Sequence, residues 1–365
     1  MNETRTEWFI IVNPRAGSGK TLSGWTEAER RLLERGVPFT SVFTRYKSHA
    51  RELALQAARD GYRRLLAAGG DGSVHEMFSG ILDFCSESGI PAEDFILGNI
   101  PIGSGNDWLR SLDVPRDIER VVSLVAEGTT RMQDLVSVTN SEGKVCCMAN
   151  IGGTGFDSQV CERVNARKER GHRSKWIYLS SLIVTILKLK RLNVEVSGDG
   201  EVIYSGACYS VAFGNGRYSG GGMLQTAGAV MDDGLMDVLV VPVIPLLRIV
   251  REIHRLFDGT TPQSSSLVYR QCRTVTVKPL PAASSHHRPA AAPSASASSS
   301  AAAAPSAFAA ASSAAASALS PSASAASATP VAAALSIPFE IDGEIEGTLP
   351  VTIAPTGSRI RVVGT

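Results

Sequence analysis

Three glycine-bearing turns limit most strongly how this chain can fold, because each closes an apolar strand-like run and opens a helix-like segment. Asn13 to Thr21 follows Trp8 to Val12, Gly69 to Ser73 follows Tyr62 to Ala68, and Gly103 to Asp107 follows Phe95 to Ile102. A further strand-like run lies at Val37 to Thr44, and amphipathic stretches separate the runs as far as about Val136. This alternation predicts βαβ units on a mostly parallel sheet. The carboxyl edge of such a sheet, where these turns fall, is where ligands bind.

After Asp134 the pattern changes to strands that read as antiparallel: Lys144 to Ile151, Leu192 to Val196, Val202 to Phe213, Leu235 to Val241 and Leu267 to Val277. The reading is α/β plus β, with an α/β domain over residues 1–136 and a β-rich domain over 137–279 and 337–365. Between them in sequence, 42 of the 57 residues from Leu280 to Ser336 are Ala or Ser, so this stretch has little to bury and is expected to be a disordered insertion. Ala-rich pieces favour helix, but Ser and Pro281, Pro289, Pro293, Pro305 and Pro321 interrupt them.

With 365 residues, 44% of them hydrophobic, the chain can bury a sizeable core in two domains. A formal net charge of +1 gives no bulk attraction to nucleic acid. Cys85, Cys146, Cys147, Cys161, Cys208 and Cys272 show no C-x-x-C spacing, which fits a reduced, cytoplasmic compartment. The first residues lack the basic start and apolar run of a signal peptide. The longest nearly uncharged apolar run, Trp176 to Leu187, is short of the roughly 20 residues a spanning helix needs.

The turns differ in what they could hold. Asn13 to Thr21 ends in Gly-Lys-Thr, but a Walker A loop needs glycine six residues before the lysine, and Pro14 stands there without an amide to donate. The Gly17 to Gly19 amides and Lys20 could still bind phosphate, and an ordinary βα turn is an equal reading. Gly103 to Asp107 reads either as a second phosphate loop or as a turn capped by Asn106 or Asp107. At Gly69-Gly70-Asp71-Gly72-Ser73, paired glycines let amides approach a phosphate, the helix start adds its positive dipole end, and Asp71 places a carboxylate alongside. The plain alternative is that Asp71 only caps the following helix.

Phosphoryl transfer needs Mg2+ to neutralise charge and a carboxylate to orient the attacking hydroxyl. Asp342-Gly343-Glu344, an acidic turn remote in sequence, could supply what Asp71 does not. Asp232-Asp233-Gly234-Leu235 suits either a hard cation or a solvated turn. His75 reads as a packed or capping histidine rather than a ligand. Basic residues from Arg163 to Arg191 flank the apolar run from Trp176 to Leu187, giving either a core helix with solvated ends or peripheral contact with an anionic membrane.

These motifs, in this order, resemble the diacylglycerol kinase catalytic-domain family, which includes bacterial lipid kinases, sphingosine kinases and ceramide kinases. The residues that carry the likeness are Ile11 to Pro14 with Gly17, Gly69 to Ser73, Pro101 to Asp107, Asn150 to Phe156, Asp233 to Leu235 and Asp342 to Glu344. The resemblance implies a three-layer α/β nucleotide-binding domain like that of NAD kinases, a β-sandwich lipid-binding domain, and an active site in the cleft. It implies ATP held by Asn13, Gly17, Lys20, Thr44, Gly69, Gly70, Gly72, Ser73, Glu76, Gly103, Ser104, Gly105 and Asn106.

Asp71 would then act as base toward a lipid hydroxyl, with Glu344 and Asp134 completing an acidic network around catalytic Mg2+. Asp233, with the carbonyls of Val230 and Leu235, resembles the family's structural Mg2+ site. Ser73 and Ser104 stand where the family usually has Thr and keep the hydroxyl, whereas Ala227 replaces a frequent Pro and loosens the structural-metal assignment. The expected function is ATP- and Mg2+-dependent phosphorylation of a lipid hydroxyl, diacylglycerol or a sphingoid base, at a membrane surface. No nucleic-acid partner is implied, and a homodimer is allowed. The alternatives are an NAD kinase-like enzyme and a catalytically silent nucleotide or lipid sensor.

Overall fold

The structure, a computed structural model, describes residues 4–17, 21–156, 158, 191–281 and 336–365. Nearly all of the Ala/Ser-rich stretch, the Arg163 to Lys190 segment, Lys20 and Cys161 lie outside the described residues.

The first half follows the expected alternation: β1 (Trp8–Val12), α1 (Thr21–Glu34), β2 (Phe39–Phe43), α2 (His49–Arg59), β3 (Arg64–Gly69), α3 (Asp71–Ser88), β4 (Ile96–Pro101), α4 (Asp107–Ser111) and α5 (Ile118–Glu127). The four strands are parallel in the order β2-β1-β3-β4. All five residues of β1 are buried, as expected where helices cover both faces of a parallel sheet. Ile10, Ile11, Leu65, Leu66, Leu97 and Ile100 fill the sheet layer, and Met77, Phe78 and Ile81 of α3 pack in the same core. Phe78 meets Trp108 of α4 edge to face at 5.6 Å.

The second half supplies β5 (Thr130–Asn140), β6 (Val145–Met148), β7 (Ile151–Gly155), β8 (Leu192–Gly198), β9 (Glu201–Gly214), the short hairpin β10 (Tyr218–Ser219) and β11 (Met223–Leu224), and β12 (Met236–Pro242). Helices α6 (Leu246–Ile253) and α7 (Arg255–Asp258) follow, then β13 (Val268–Cys272), β14 (Val275–Pro279), β15 (Pro338–Ile341), β16 (Glu344–Thr348) and β17 (Val351–Val363). Burial alternates along β8, giving one inward and one outward face, and Val194, Val196, Phe213, Val238, Val240, Phe339 and Ile353 form a second core.

Two runs read as single strands are each divided, and in both cases a carboxylate takes the amides the ladder would have used. Asp342 accepts the N–H groups of Ala149, Asn150 and Ile151, separating β6 from β7. Asp199 accepts those of Arg273 and Thr274, separating β13 from β14.

The long strand β17 joins the two halves. Its end pairs parallel with β4, where Arg361 meets Ile96, while most of its length pairs antiparallel with β5. Ile360, Val362 and Val363 therefore sit in the first core although the sequence groups them with the second half. The last residues of the chain thus complete the sheet that its first strand begins.

Candidate active site

The carboxyl ends of β1, β3 and β4 bring the three glycine-bearing turns together. Gly103 donates its N–H to the Gly69 carbonyl at 2.9 Å, and a Cβ on Gly103 would lie 2.4 Å from the Gly70 Cα. Only glycine allows two main chains to approach so closely. At the end of β1, Asn13 donates from Nδ2 to Ser73 Oγ at 3.1 Å and accepts the Arg15 N–H at Oδ1, fixing the turn that carries Gly17. Thr44 donates its N–H to the Val12 carbonyl at 2.8 Å, which ties the end of β2 to the same edge.

Asp71 is the first residue of α3, where the helix dipole presents its positive end. Its side chain does not cap its own helix. Oδ1 instead accepts the Trp108 N–H at 3.0 Å, so the carboxylate caps α4 from across the site. Asp107 lies close by: a Cβ on Gly105 would be 2.7 Å from Asp71 Oδ2 and 3.6 Å from Asp107 Oδ2. Burial first, then the Asp107 charge, pushes the Asp71 carboxyl up to about 6, against the pull of the Trp108 and Asp107 amides. Burial likewise raises Asp107, whose Oδ2 accepts the Gly221 N–H at 2.6 Å while its buried Oδ1 has no hydrogen-bond partner. Asn106 donates to the Gly103 carbonyl and leaves its own buried Oδ1 unpartnered.

The Asp342 to Glu344 turn reaches this point from the second half. Glu344 Oε1 lies 3.8 Å from where a Cβ on Gly72 would sit, placing its carboxylate over the first turn of α3. Lys47 donates to Glu344 Oε2 at 2.8 Å, and that bond raises the lysine's pKa. Asp342 holds the turn in place. Besides its three backbone N–H donors, its Oδ2 meets His75 Nδ1 of α3 at 3.0 Å. His75 Nε2 faces Glu346 at 3.8 Å, and Lys144 donates to the other Glu346 oxygen at 3.1 Å. Burial opposes charge on His75, yet the bonds to Asp342 and Glu346 prevail and bring its pKa to about 10. Glu346 falls to about 2, chiefly through its bond to His75.

Other expected site residues have different partners. Asp134 is buried, but Oδ1 accepts from Arg359 at 2.9 Å and Oδ2 from the Gly234 N–H at 2.7 Å. Both oxygens are taken, and nothing among the described residues bonds Asp134 to Asp71 or Glu344. Glu76 accepts the Ser48 and Ala50 N–H groups at 2.9 and 3.0 Å, which makes it the cap of α2. Asp233 Oδ1 accepts the Leu235 N–H at 2.9 Å, Val230 is exposed, and the described residues contain no group of three or more His, Cys, Asp or Glu suited to a metal. Ser104 is exposed at the tip of its loop, and Lys20 lies outside the described residues.

Sequence reasoning counted Asn150 only as the start of a family motif, with no role of its own, and passed over Ser111. Ser111 Oγ donates to Asn150 Oδ1 at 2.8 Å and accepts from the Arg217 and Tyr218 amides, while Asn150 Nδ2 donates to the Tyr218 carbonyl. This pair ties the β10–β11 hairpin to α4. Its members lie 39 residues apart in sequence, and nothing near either one announces the other.

The fold and site define a class: an α/β domain whose glycine turns and raised carboxylate meet an acidic turn offered by a β-sandwich. Residues 7–138 match the family model described as diacylglycerol kinase catalytic domain, and residues 150–308 match the YegS C-terminal NAD kinase beta sandwich-like domain. Residues 7–138 thus carry a diacylglycerol kinase catalytic domain, followed by the YegS-type sandwich domain.

Among its relatives, a "Probable lipid kinase YegS-like" protein of Xanthomonas euvesicatoria is 29% identical over 65% of this chain and 74% of its own length. A "Diacylglycerol kinase" of Mycobacterium tuberculosis is 27% identical over 73% of this chain and 84% of its own. A crystal structure of a diacylglycerol kinase from Bacillus anthracis superposes with a TM-score of 0.63 at 17% identity, covering 98% of this chain and 97% of the other, which shows a shared fold.

Proposed function

We propose that this protein is a lipid kinase that transfers the γ-phosphate of ATP to a lipid hydroxyl, with diacylglycerol the first candidate and a sphingoid base the second. The observation that carries the proposal is Asp71: a carboxylate with a pKa of about 6 at a helix N-terminus where two glycine turns touch, with Glu344 lying over Gly72 in the same helical turn. Such a group is ionised at neutral pH yet basic enough to accept a hydroxyl proton.

Amides at the start of α3, with the turns at Gly17, Gly69-Gly70 and Gly103 to Gly105, suit the phosphates. The acceptor hydroxyl is oriented by Asp71; its oxygen bonds to the γ-phosphorus as the bond to the ADP oxygen breaks, and the proton passes to Asp71. The carboxylates fit Mg2+, which takes one or two of them together with substrate phosphates, and the buried Asp107 Oδ1, which accepts no hydrogen bond and has Arg110 Nε 3.5 Å away, is a hard-oxygen donor. Asp107 and Glu344 would hold the ion together with the substrate phosphates, leaving Asp71 as the base, with Asp107 taking the place expected of Asp134. Its chemistry there is to neutralise charge on the phosphates.

The test is transfer of label from ATP, with Mg2+, to a panel of diacylglycerol, monoacylglycerol, sphinganine, ceramide and NAD. Label in one lipid class supports the proposal and names the substrate. Label in NAD alone, or ATP binding with no transfer, would overturn it in favour of an NAD kinase-like enzyme or a sensor.

A further inference from the structure

One surface has no role in the site described above. Helices α6 and α7 are nearly one rod, because His254 between them keeps right-handed helical angles of φ −61° and ψ −29°. Ile249 is buried and Ile253 and Leu256 are half-buried, at the i, i+4, i+7 spacing of a helix face turned to the fold. Those residues account for the packing. On the outer side Leu247 is 84% exposed and Phe257 59% exposed, and Arg248, Arg251 and His254 are exposed around them.

The carboxylates of the unit are already engaged. Arg255 pairs with Glu252 at 2.9 Å, and Asp258 accepts from the Thr260 amide at 2.9 Å and from its hydroxyl at 2.6 Å. The outer face therefore combines two large apolar side chains with two arginines. An interfacial helix on an anionic bilayer needs that combination: apolar groups for the acyl boundary and cations for the phosphates.

The unit also stands close to the site. α7 packs on β11, where Leu224 Cδ1 lies 3.3 Å from the position of a Cβ on Gly259. β11 and β10 form the hairpin whose Gly221 N–H donates to Asp107. One hairpin separates the exposed face from the carboxylates.

We propose that α6 and α7 form a docking surface for an anionic lipid bilayer, with Leu247 and Phe257 entering the interface and Arg248 and Arg251 meeting lipid phosphates. The proposal rests on the lipid-kinase reading for its purpose, but its test does not need turnover.

The full-length protein, without ATP, is floated with vesicles of phosphatidylcholine mixed with phosphatidylglycerol and with vesicles of phosphatidylcholine alone. Binding to the mixed vesicles that weakens with salt is expected, falling about tenfold or more in Leu247→Ser/Phe257→Ser and likewise in Arg248→Gln/Arg251→Gln. Val202→Ser, an exposed apolar change elsewhere, should leave it unchanged. These side chains are exposed, so the variants are expected to fold, and circular dichroism checks this.

Equal binding by all variants, or no binding by folded wild type, would overturn the docking surface. So would self-association of the wild type that both double variants abolish, since the occupant would then be a second copy of the chain. If the variants lose binding but wild type phosphorylates no lipid, the docking surface stands and the kinase reading falls. If a short-chain soluble diacylglycerol is phosphorylated while vesicle binding is unaffected in the variants, the reverse holds.

Discussion

Replacing His75 by leucine tests the contact that fixes the acidic turn against α3. The imidazole is buried and lies 3.0 Å from Asp342 and 3.8 Å from Glu346. Its pKa rises from 6.5 in the unfolded chain to about 10, so the charged form is favoured in the fold. At 1.36 kcal/mol per unit such a shift corresponds to roughly 5 kcal/mol, and losing one partner of a buried pair costs about 3–5 kcal/mol.

The lowered Glu346 reports part of the same interaction from the other side and is not added again. A raised histidine contributes its full stability below pH 6.5, and that stability is lost as pH rises toward about 10. Glu346 works the other way, contributing above 4.5 and losing its share as pH falls toward about 2. Thermal unfolding of wild type and His75→Leu between pH 6 and 10 should therefore show a gap of several degrees that narrows steadily with rising pH. Turnover should fall as well, because Glu344 would lose its seat over Gly72. A gap that stays constant from pH 6.5 to 10, or no gap at all, would refute the reasoning.

The remaining predictions bear on the site and its supports. Lipid phosphorylation measured as kcat/KM against pH should rise through about pH 6 as Asp71 ionises and level off above it; a rate that falls across that range would remove Asp71 as base. In Gly103→Ala the new Cβ would press on the Gly70 Cα at 2.4 Å, so ATP affinity measured by calorimetry should drop at least about tenfold. Arg359→Met leaves the buried Asp134 with only the Gly234 amide and should cost about 2–3 kcal/mol in urea unfolding. Its turnover should stay near wild type, whereas a collapse in turnover at intact stability would return Asp134 to the catalytic group.

Much of the architecture was legible because local rules and global fold agree. The β1 run is uniformly apolar and ends at Asn13-Pro14, so both its limits and its burial could be read directly. The contact between Gly69-Gly70 and Gly103 was implied by two glycine turns on neighbouring parallel strands. Strand β17 was harder to place, since only pairing decides that a C-terminal run lies between β4 and β5.

The same limit applies to side chains. Asp342 and His75 are 267 residues apart, and nothing near either one announces the other. The family resemblance placed Asp134 in an acidic network around Mg2+, but it pairs with Arg359, 225 residues away, which its own neighbourhood in sequence does not announce. Glu76 lies one turn beyond the glycine motif, yet its oxygens cap α2. Residue type fixed the chemistry available at each position; the partners were set by topology.

The most direct test of the central claim is the phosphotransfer rate of Asp71→Asn, measured in a single turnover with bound ATP and the lipid acceptor identified for the wild type. Asparagine keeps the shape and an oxygen to accept the Trp108 amide, so folding and ATP binding should persist while transfer falls by about 10²–10⁴-fold. Transfer at a near-normal rate from the folded variant would contradict the account.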